Sequence, residues 1–376
     1  MFEPKRGWTW PALAVAGLAL AFTPRVGADP RTPAPAGQAG SCASGWVIQQ
    51  AGSGTLESVA AASPGAAWAV GSRPDAEGFP VTLAERWDGT GWAAVPTPNP
   101  RPPLPPVPAD VLDAVTVVSA SDAWAVGGAG EMSGQMAAGL VEHWNGARWT
   151  AISIPRLNEG GQLEGVAAVS AGEVWAVGAG GVTSAYGPQV AYALRWDGAR
   201  WSSVPVPQPG AFHGLNAVTR IPGSDSLWAV GVQGAGRGIP PYPMIDYWNG
   251  NRWTVTPAPA APGGPLSAVA ALGPDNAWAV GRAILHWNGT RWSVASAPAF
   301  PGGLTGVTAL GPEDVWAVGG GTILHWNGTT WRSVSWPHPA GTFLTGIAAV
   351  HGAGGWSVWA VGGAGPATSL IAARCS

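Results

Sequence analysis

Residues 276–292 read Asn-Ala-Trp-Ala-Val-Gly-Arg-Ala-Ile-Leu-His-Trp-Asn-Gly-Thr-Arg-Trp, and they decide the fold because the chain keeps returning to them. Trp-Ala-Val-Gly opens at Trp68, Trp124, Trp175, Trp228, Trp278, Trp316 and Trp359. A second phrase, W-[ND]-G-x-x-W, follows six of these, starting at Trp87, Trp144, Trp196, Trp248, Trp287 and Trp326. Self-similarity at a period of roughly 40 to 50 residues marks a repeat architecture.

One unit can be read strand by strand. Leu266 to Leu272 is a short apolar run ended by the turn residues Gly273-Pro274-Asp275. Ala277–Val280, Ala283–Trp287 and Trp292–Ser296 read as three further strands, with Gly281, Asn288-Gly289 and Pro298 as the breaks. Asn-Gly predicts a two-residue hairpin loop, since both residues tolerate the positive φ of a type I′ turn. In that register His286 faces Arg291 and Leu285 faces Trp292. His143, His286 and His325 share one repeated place beside a Trp, which marks them as structural rather than ligating. Four short strands per unit, seven times over, predict an all-β chain folded as a seven-bladed β-propeller. A helical solenoid would need a 3.6-residue period, and none is present.

The last unit has only three strands, Phe343–Val350, Trp356–Gly362 and Thr368–Arg374. Gly45-Trp46-Val47-Ile48, near the start, reads as its missing fourth strand, with Trp46 in the place of Trp292. Alignment on the Trp positions sets Cys375 where Trp287 stands and Cys42 where Asn288 stands. The only two cysteines therefore meet across the seam, and a Cys42–Cys375 disulfide is expected. Residues 1–28 read as a signal peptide: Lys5 and Arg6, an apolar stretch from Trp8 to Phe22, and Val26-Gly27-Ala28 as a small-residue cleavage site. Residues 29–40 form a Pro/Ala linker, residues 41–376 the propeller, and the expected location is extracellular or at the cell surface. No later segment is apolar enough to span a bilayer.

The 376 residues carry a net charge of -3 and only 10% charged side chains, too neutral a balance for nucleic acid or an anionic membrane as partner. Gly (57) and Pro (37) are abundant, but 24 Trp and 46% apolar content argue for a packed core over disorder.

The pattern D-x-W-A-V-G…L-x-H-W-[ND]-G-x-x-W resembles the repeats of secreted bacterial propellers grouped with sialidase-type Asp-box proteins. It is similar also to tectonin-type lectin repeats. The likeness covers residues 41–376 and implies the fold. Asp88-Gly89-Thr90-Gly91-Trp92 is one residue shorter between Asp and Trp than the Asp-box pattern, and in those families the box is a structural turn. A sialidase-like chemistry would require three Arg on a carboxylate and a Tyr nucleophile. Arg73, Arg237 and Arg282, with Tyr186 or Tyr242, are the candidates for those roles.

Function is expected where the repeats differ. Long loops join the second and third strands in the first four units: Ser72–Pro80, Gly128–Ala138, Ala179–Gln189 and Val232–Pro243. Units five and six have only Arg282 and Gly320-Gly321 there. At the start of the innermost strand, after the repeated Leu, the chain carries Glu57, Asp113, Glu164 and Asn216 and then Ser267, Thr305 and Thr345. Both asymmetries select blades 1 to 4. The expected ligand-binding set is Glu57, Asp113, Glu164, Asn216, Asp75, Tyr186, Arg237 and Tyr242, suited to a glycan or a surface protein. No GxSxG, HExxH or P-loop is present, and no catalytic residue, metal ligand or cofactor is assigned. The alternative is a glycosidase or lyase that uses carboxylates at the channel mouth.

Overall fold

The computed structural model describes residues 45–100, 108–131, 135–157, 161–181, 189–210, 212–234, 241–259, 263–352, 355–365 and 368–375. The signal-peptide and linker assignments, Cys42, Tyr186 and Arg237 lie outside these residues. Among the described residues no helix is long and apolar enough to cross a membrane.

The chain forms a seven-bladed β-propeller of four-stranded antiparallel blades. Blade 5 is typical, with strands Leu266–Gly273, Asn276–Gly281, Ile284–Trp287 and Trp292–Val294 in that spatial order. Blade 7 contains Thr342–Gly352, Gly355–Ala364 and Thr368–Cys375, and Gly45–Ser53 from the chain start completes it as the outermost strand. Trp46 lies opposite Arg374 in this seam. It meets Trp316 of blade 6 edge-on at 5.8 Å, as Trp292 meets Trp228 at 5.3 Å.

The core lies between blades. One cluster joins Trp228, Val230 and Ile245 of blade 4 to Leu266, Leu285 and Trp292 of blade 5. Six of the seven Trp of Trp-Ala-Val-Gly pack beneath the two Trp of the next blade's hairpin, while Trp316 meets Trp46 and Arg374; Trp278, for example, lies 5.1 Å from Trp326 and 5.3 Å from Trp331. The indole N–H groups of Trp149, Trp201, Trp253, Trp292 and Trp331 are buried with no oxygen or nitrogen partner. Their edge-on packing explains this, since the positive edge of one indole sits on the negative face of the other. His143, His286 and His325 stack on Trp124, Trp278 and Trp316. Their Nε2 atoms bond Asp122, Asn276 and Asp314 at 2.8–3.0 Å.

Three expectations need correction. The hairpin after Trp287 is a four-residue turn, because Trp287 pairs with Trp292, His286 with Ser293 and Leu285 with Val294. Its geometry comes from the Asn side chain: Asn288 Oδ1 accepts from the N–H groups of Thr290 and Arg291, and Gly289 takes φ +88°. Asp88, Asn145, Asp197, Asn249 and Asn327 build the same turn. Second, Arg374 rather than Cys375 takes the place of Trp287, lying opposite Val358 and capping Trp316 at 4.8 Å. Third, the blade 2 connection, read as a loop, is in large part strand. In blade 2 the ladder runs on to Glu131↔Gln135, and its innermost strand, Pro108–Ser119, follows it up to Pro108↔Glu131.

Candidate functional site

A β-bulge recurs at the start of the innermost strands. The register slips between Leu56 and Ser58, Leu112 and Ala114, Leu163 and Gly165, Leu215 and Ala217, Leu266 and Ala268, and Leu344 and Gly346. The skipped residue is Glu57, Asp113, Glu164, Asn216, Ser267 or Thr345. A bulge leaves one residue unpaired and re-aims its side chain. Small residues after the bulge let neighbouring inner strands close in. A Cβ on Gly346 would meet Glu57 O at 3.0 Å, and one on Gly165 would meet the Ala217 Cα at 2.8 Å.

What these residues do around the ring depends on whether they can donate. Asn216 Nδ2 donates to Leu266 O of blade 5 at 2.7 Å. Thr305 Oγ1 donates to Leu344 O of blade 7 at 2.9 Å, and Thr345 Oγ1 to Leu56 O of blade 1 at 2.6 Å. Glu57, Asp113 and Glu164 occupy equivalent places, yet an ionised carboxylate has no proton to give. Asp113 instead accepts from Gln162 Nε2 of blade 3 at 2.7 Å.

The three carboxyl groups are near enough to act on one another. Burial raises Asp113 to about 8; the charge of Glu164 pushes further up, the Gln162 bond pulls down, and Glu57 adds to the rise. Burial and then the charge of Glu57 raise Glu164, and burial raises Glu57. Part of this cluster therefore holds protons near neutrality. Such a mouth can donate and accept hydrogen bonds, or offer a carboxylic acid beside a carboxylate.

The register Thr55↔Ser72 puts the inner-strand start and the second-to-third-strand hairpin at the same end of blade 1, and Phe212↔Gly234 does so in blade 4. Asp75 lies in the first of these hairpins, where its Oδ1 accepts from the N–H groups of Glu77 and Phe79 and shapes the turn. Tyr242 begins the third strand of blade 4, opposite Gln233, and is 47% exposed. In blades 5 and 6 the connection is minimal: Gly281 N–H bonds Ala283 O, and Gly320 takes φ +54°.

Two surface clefts are also present, the first of them against the blade 2 connection. One of about 330 Å³ is lined by Pro100, Ala129, Gly139, Leu140 and Ile154 in and beside blade 2. One of about 480 Å³ lies at the outer rim between blades 5 and 6, lined by His286, Ala295, Ala297, Trp326 and Thr330. Among the described residues no group of three or more His, Cys, Asp or Glu is arranged to hold a metal ion.

Sequence reasoning missed four buried acids: Glu85, Asp110, Glu142 and Asp246, exposed by 3%, 1%, 0% and 0%. For Glu85, Glu142 and Asp246 the signal is a carboxylate in the place of Leu285 in Ile284-Leu285-His286-Trp287, as in Val141-Glu142-His143-Trp144 and Ile245-Asp246-Tyr247-Trp248.

The fold is a seven-bladed propeller whose inner strands bring Glu57, Asp113 and Glu164 near enough to interact. No protein-family model matches the sequence, and no curated protein matches it. Among solved structures the chain is similar to YCF48 from Cyanidioschyzon merolae, at TM-score 0.55 and 16% identity over 87% of this chain and 98% of that one. A structure described as YCF48 bound to D1 peptide matches at TM-score 0.40 and 16% identity, over 77% of this chain and 96% of that one.

Proposed function

We propose that this protein is a secreted, non-enzymatic binding module that holds a carbohydrate or a partner protein's surface on the blade 1–4 face. The carrying observation is the re-aimed trio Glu57, Asp113 and Glu164, whose charges act on one another beneath the extended hairpins. A rigid concavity with a few converging polar groups is the usual form of a ligand site. Groups that can both donate and accept suit sugar hydroxyls, and the exposed ring of Tyr242 suits a sugar face or an apolar side chain.

One observation favours a second reading. Asp113, raised to about 8 beside two further carboxyl groups, has the protonation that a general acid in glycoside cleavage requires. A glycan array run alongside a panel of chromogenic glycosides separates the two. Retention without turnover supports the binding module, and turnover abolished by Asp113→Asn supports the enzyme. Neither retention nor turnover, with no protein ligand at the face, would overturn both.

A further inference from the structure

The third strand of every blade carries one residue opposite the first Ala of Trp-Ala-Val-Gly. The pairs are Ala69↔Glu85, Ala125↔Glu142, Ala176↔Leu194, Ala229↔Asp246, Ala279↔Leu285, Ala317↔Leu324 and Ala360↔Ala372. Leu194, Leu285 and Leu324 lie in the apolar packing against the preceding blade. Period-2 alternation points Glu85, Glu142 and Asp246 the same way. Glu142 lies between Leu140 and Trp144, which pack on Ala84 of blade 1, and Asp246 between Met244 and Trp248, which pack on Ala193 of blade 3. The other five blades have Val141, Ile245, Ile284, Ile323 or Ile371 where blades 1 and 3 have Ala84 and Ala193, so a small residue makes room for Glu142 and Asp246 but not for Glu85. Glu85 lies between Leu83 and Trp87, against Ile371 of blade 7.

These acids are not paired. Both carboxyl oxygens of Glu142 and of Asp246, and Oε2 of Glu85, are buried without a hydrogen-bond partner. Asp110 faces Glu142 from its own blade and opposes its ionisation. From blade 1, Arg86 turns away onto the Trp144 ring and Ala120 O. On the Asp246 side, Arg195 of blade 3 is paired with Glu173 at 3.0 Å. His213, 1% exposed, shares that face from the inner strand of blade 4. Burial alone accounts for the rise of Glu85, with no contribution from a neighbouring charge.

We propose that Glu85, Glu142 and Asp246 form a proton-operated lock on the blade 7–1, 1–2 and 3–4 interfaces, seated while they are protonated and loosened when they ionise. A neutral carboxyl tolerates an apolar interface far better than an unpaired carboxylate does. Burial raises Glu85 to about 7, Asp246 to about 7, and Glu142, with help from Asp110, to about 8. Acids raised on folding take up protons as the chain folds. Their stability contribution is greatest below the unfolded values near 4.5 and is lost as pH rises through about 7 to 8. The 7–1 interface borders the loop-bearing blades 1 to 4 and the 1–2 and 3–4 interfaces lie among them, so this half responds to pH.

The test is thermal unfolding of the full chain from about pH 5 to about pH 9, with hydrogen exchange corrected for intrinsic rates. A falling melting temperature is expected through the neutral range. Loss of protection should concentrate in Pro80–Trp87, Gln135–Trp144 and Tyr242–Trp248, while Ile284–Trp287 and Thr322–Trp326 hold. Glu142→Gln and Glu142→Leu, the latter matching Leu285, should each reduce the pH slope, leaving the part that Asp113 and the other raised acids carry. A melting temperature that rises over this range, or protection lost equally in all five strands, would overturn the lock. The exchange comparison needs no variant to fold.

Discussion

Gln162 of blade 3 donates a 2.7 Å hydrogen bond to Asp113 of blade 2, reversing the direction used where Thr345 of blade 7 donates to Leu56 O of blade 1. The tie between adjacent inner strands survives the exchange of a hydroxyl for a carboxyl because the neighbouring blade supplies the donor. An acid is thereby kept at the channel mouth in a place where Asn216 and Thr305 bond the next strand directly.

Asp113→Asn should therefore stabilise the ring and weaken the site. Asn can donate to the next blade as Asn216 does. It also removes a carboxyl whose raised proton affinity opposes folding from its unfolded value of 3.8 up to about 8. The gain in melting temperature should grow with pH across that window and level off above it. Calorimetry of both proteins at several pH values checks this, and a gain largest in acid would contradict it.

The ring was legible from the Trp spacing because each blade's contribution to its neighbour is the same few residues, and Trp46 alone marked the seam. Local chemistry was less legible. Asn288-Gly289 reads equally as a two-residue loop or as a turn shaped by the Asn side chain, and only the Trp287↔Trp292 pairing decides. Glu57, Asp113 and Glu164 could be placed at the strand start, but the bulge that aims them is a property of pairing between strands. Glu142 was hidden because a single acid in an apolar alternation looks exposed until the facing Ala84 is seen.

Asn288→Ala should lower stability by about 1 kcal/mol, since the turn loses the acceptor for Thr290 and Arg291. Asn288→Asp should be nearly neutral, because Asp88 and Asp197 build the same turn. Urea unfolding midpoints distinguish the two. Equal losses would show that the side chain is incidental.

Trp278→Ala should lower stability by about 3 to 5 kcal/mol. The side chain is 2% exposed and meets His286, Trp326 and Trp331. A change under about 1 kcal/mol in chemical unfolding would deny the interblade stack its place in the core.

The Cys42–Cys375 bond remains an expectation. Gly45 lies opposite Cys375, and Cys42 is three residues before Gly45 in the sequence. If the bond forms, reduction should lower stability by about 2 to 5 kcal/mol. Free thiols in the native protein, found by alkylation and mass measurement, would remove this closure.

The central claim is that ligand binds the blade 1–4 face at the channel mouth, and affinity measured on paired variants tests it most directly. The best array glycan is titrated against the native chain, Glu57→Gln/Glu164→Gln, and Thr330→Ala at the rim cleft of blades 5 and 6. The account predicts at least a roughly tenfold loss, about 1.4 kcal/mol, for the channel-mouth variant and none for the rim variant. Full affinity in the channel-mouth variant, with the loss in Thr330→Ala instead, would contradict it.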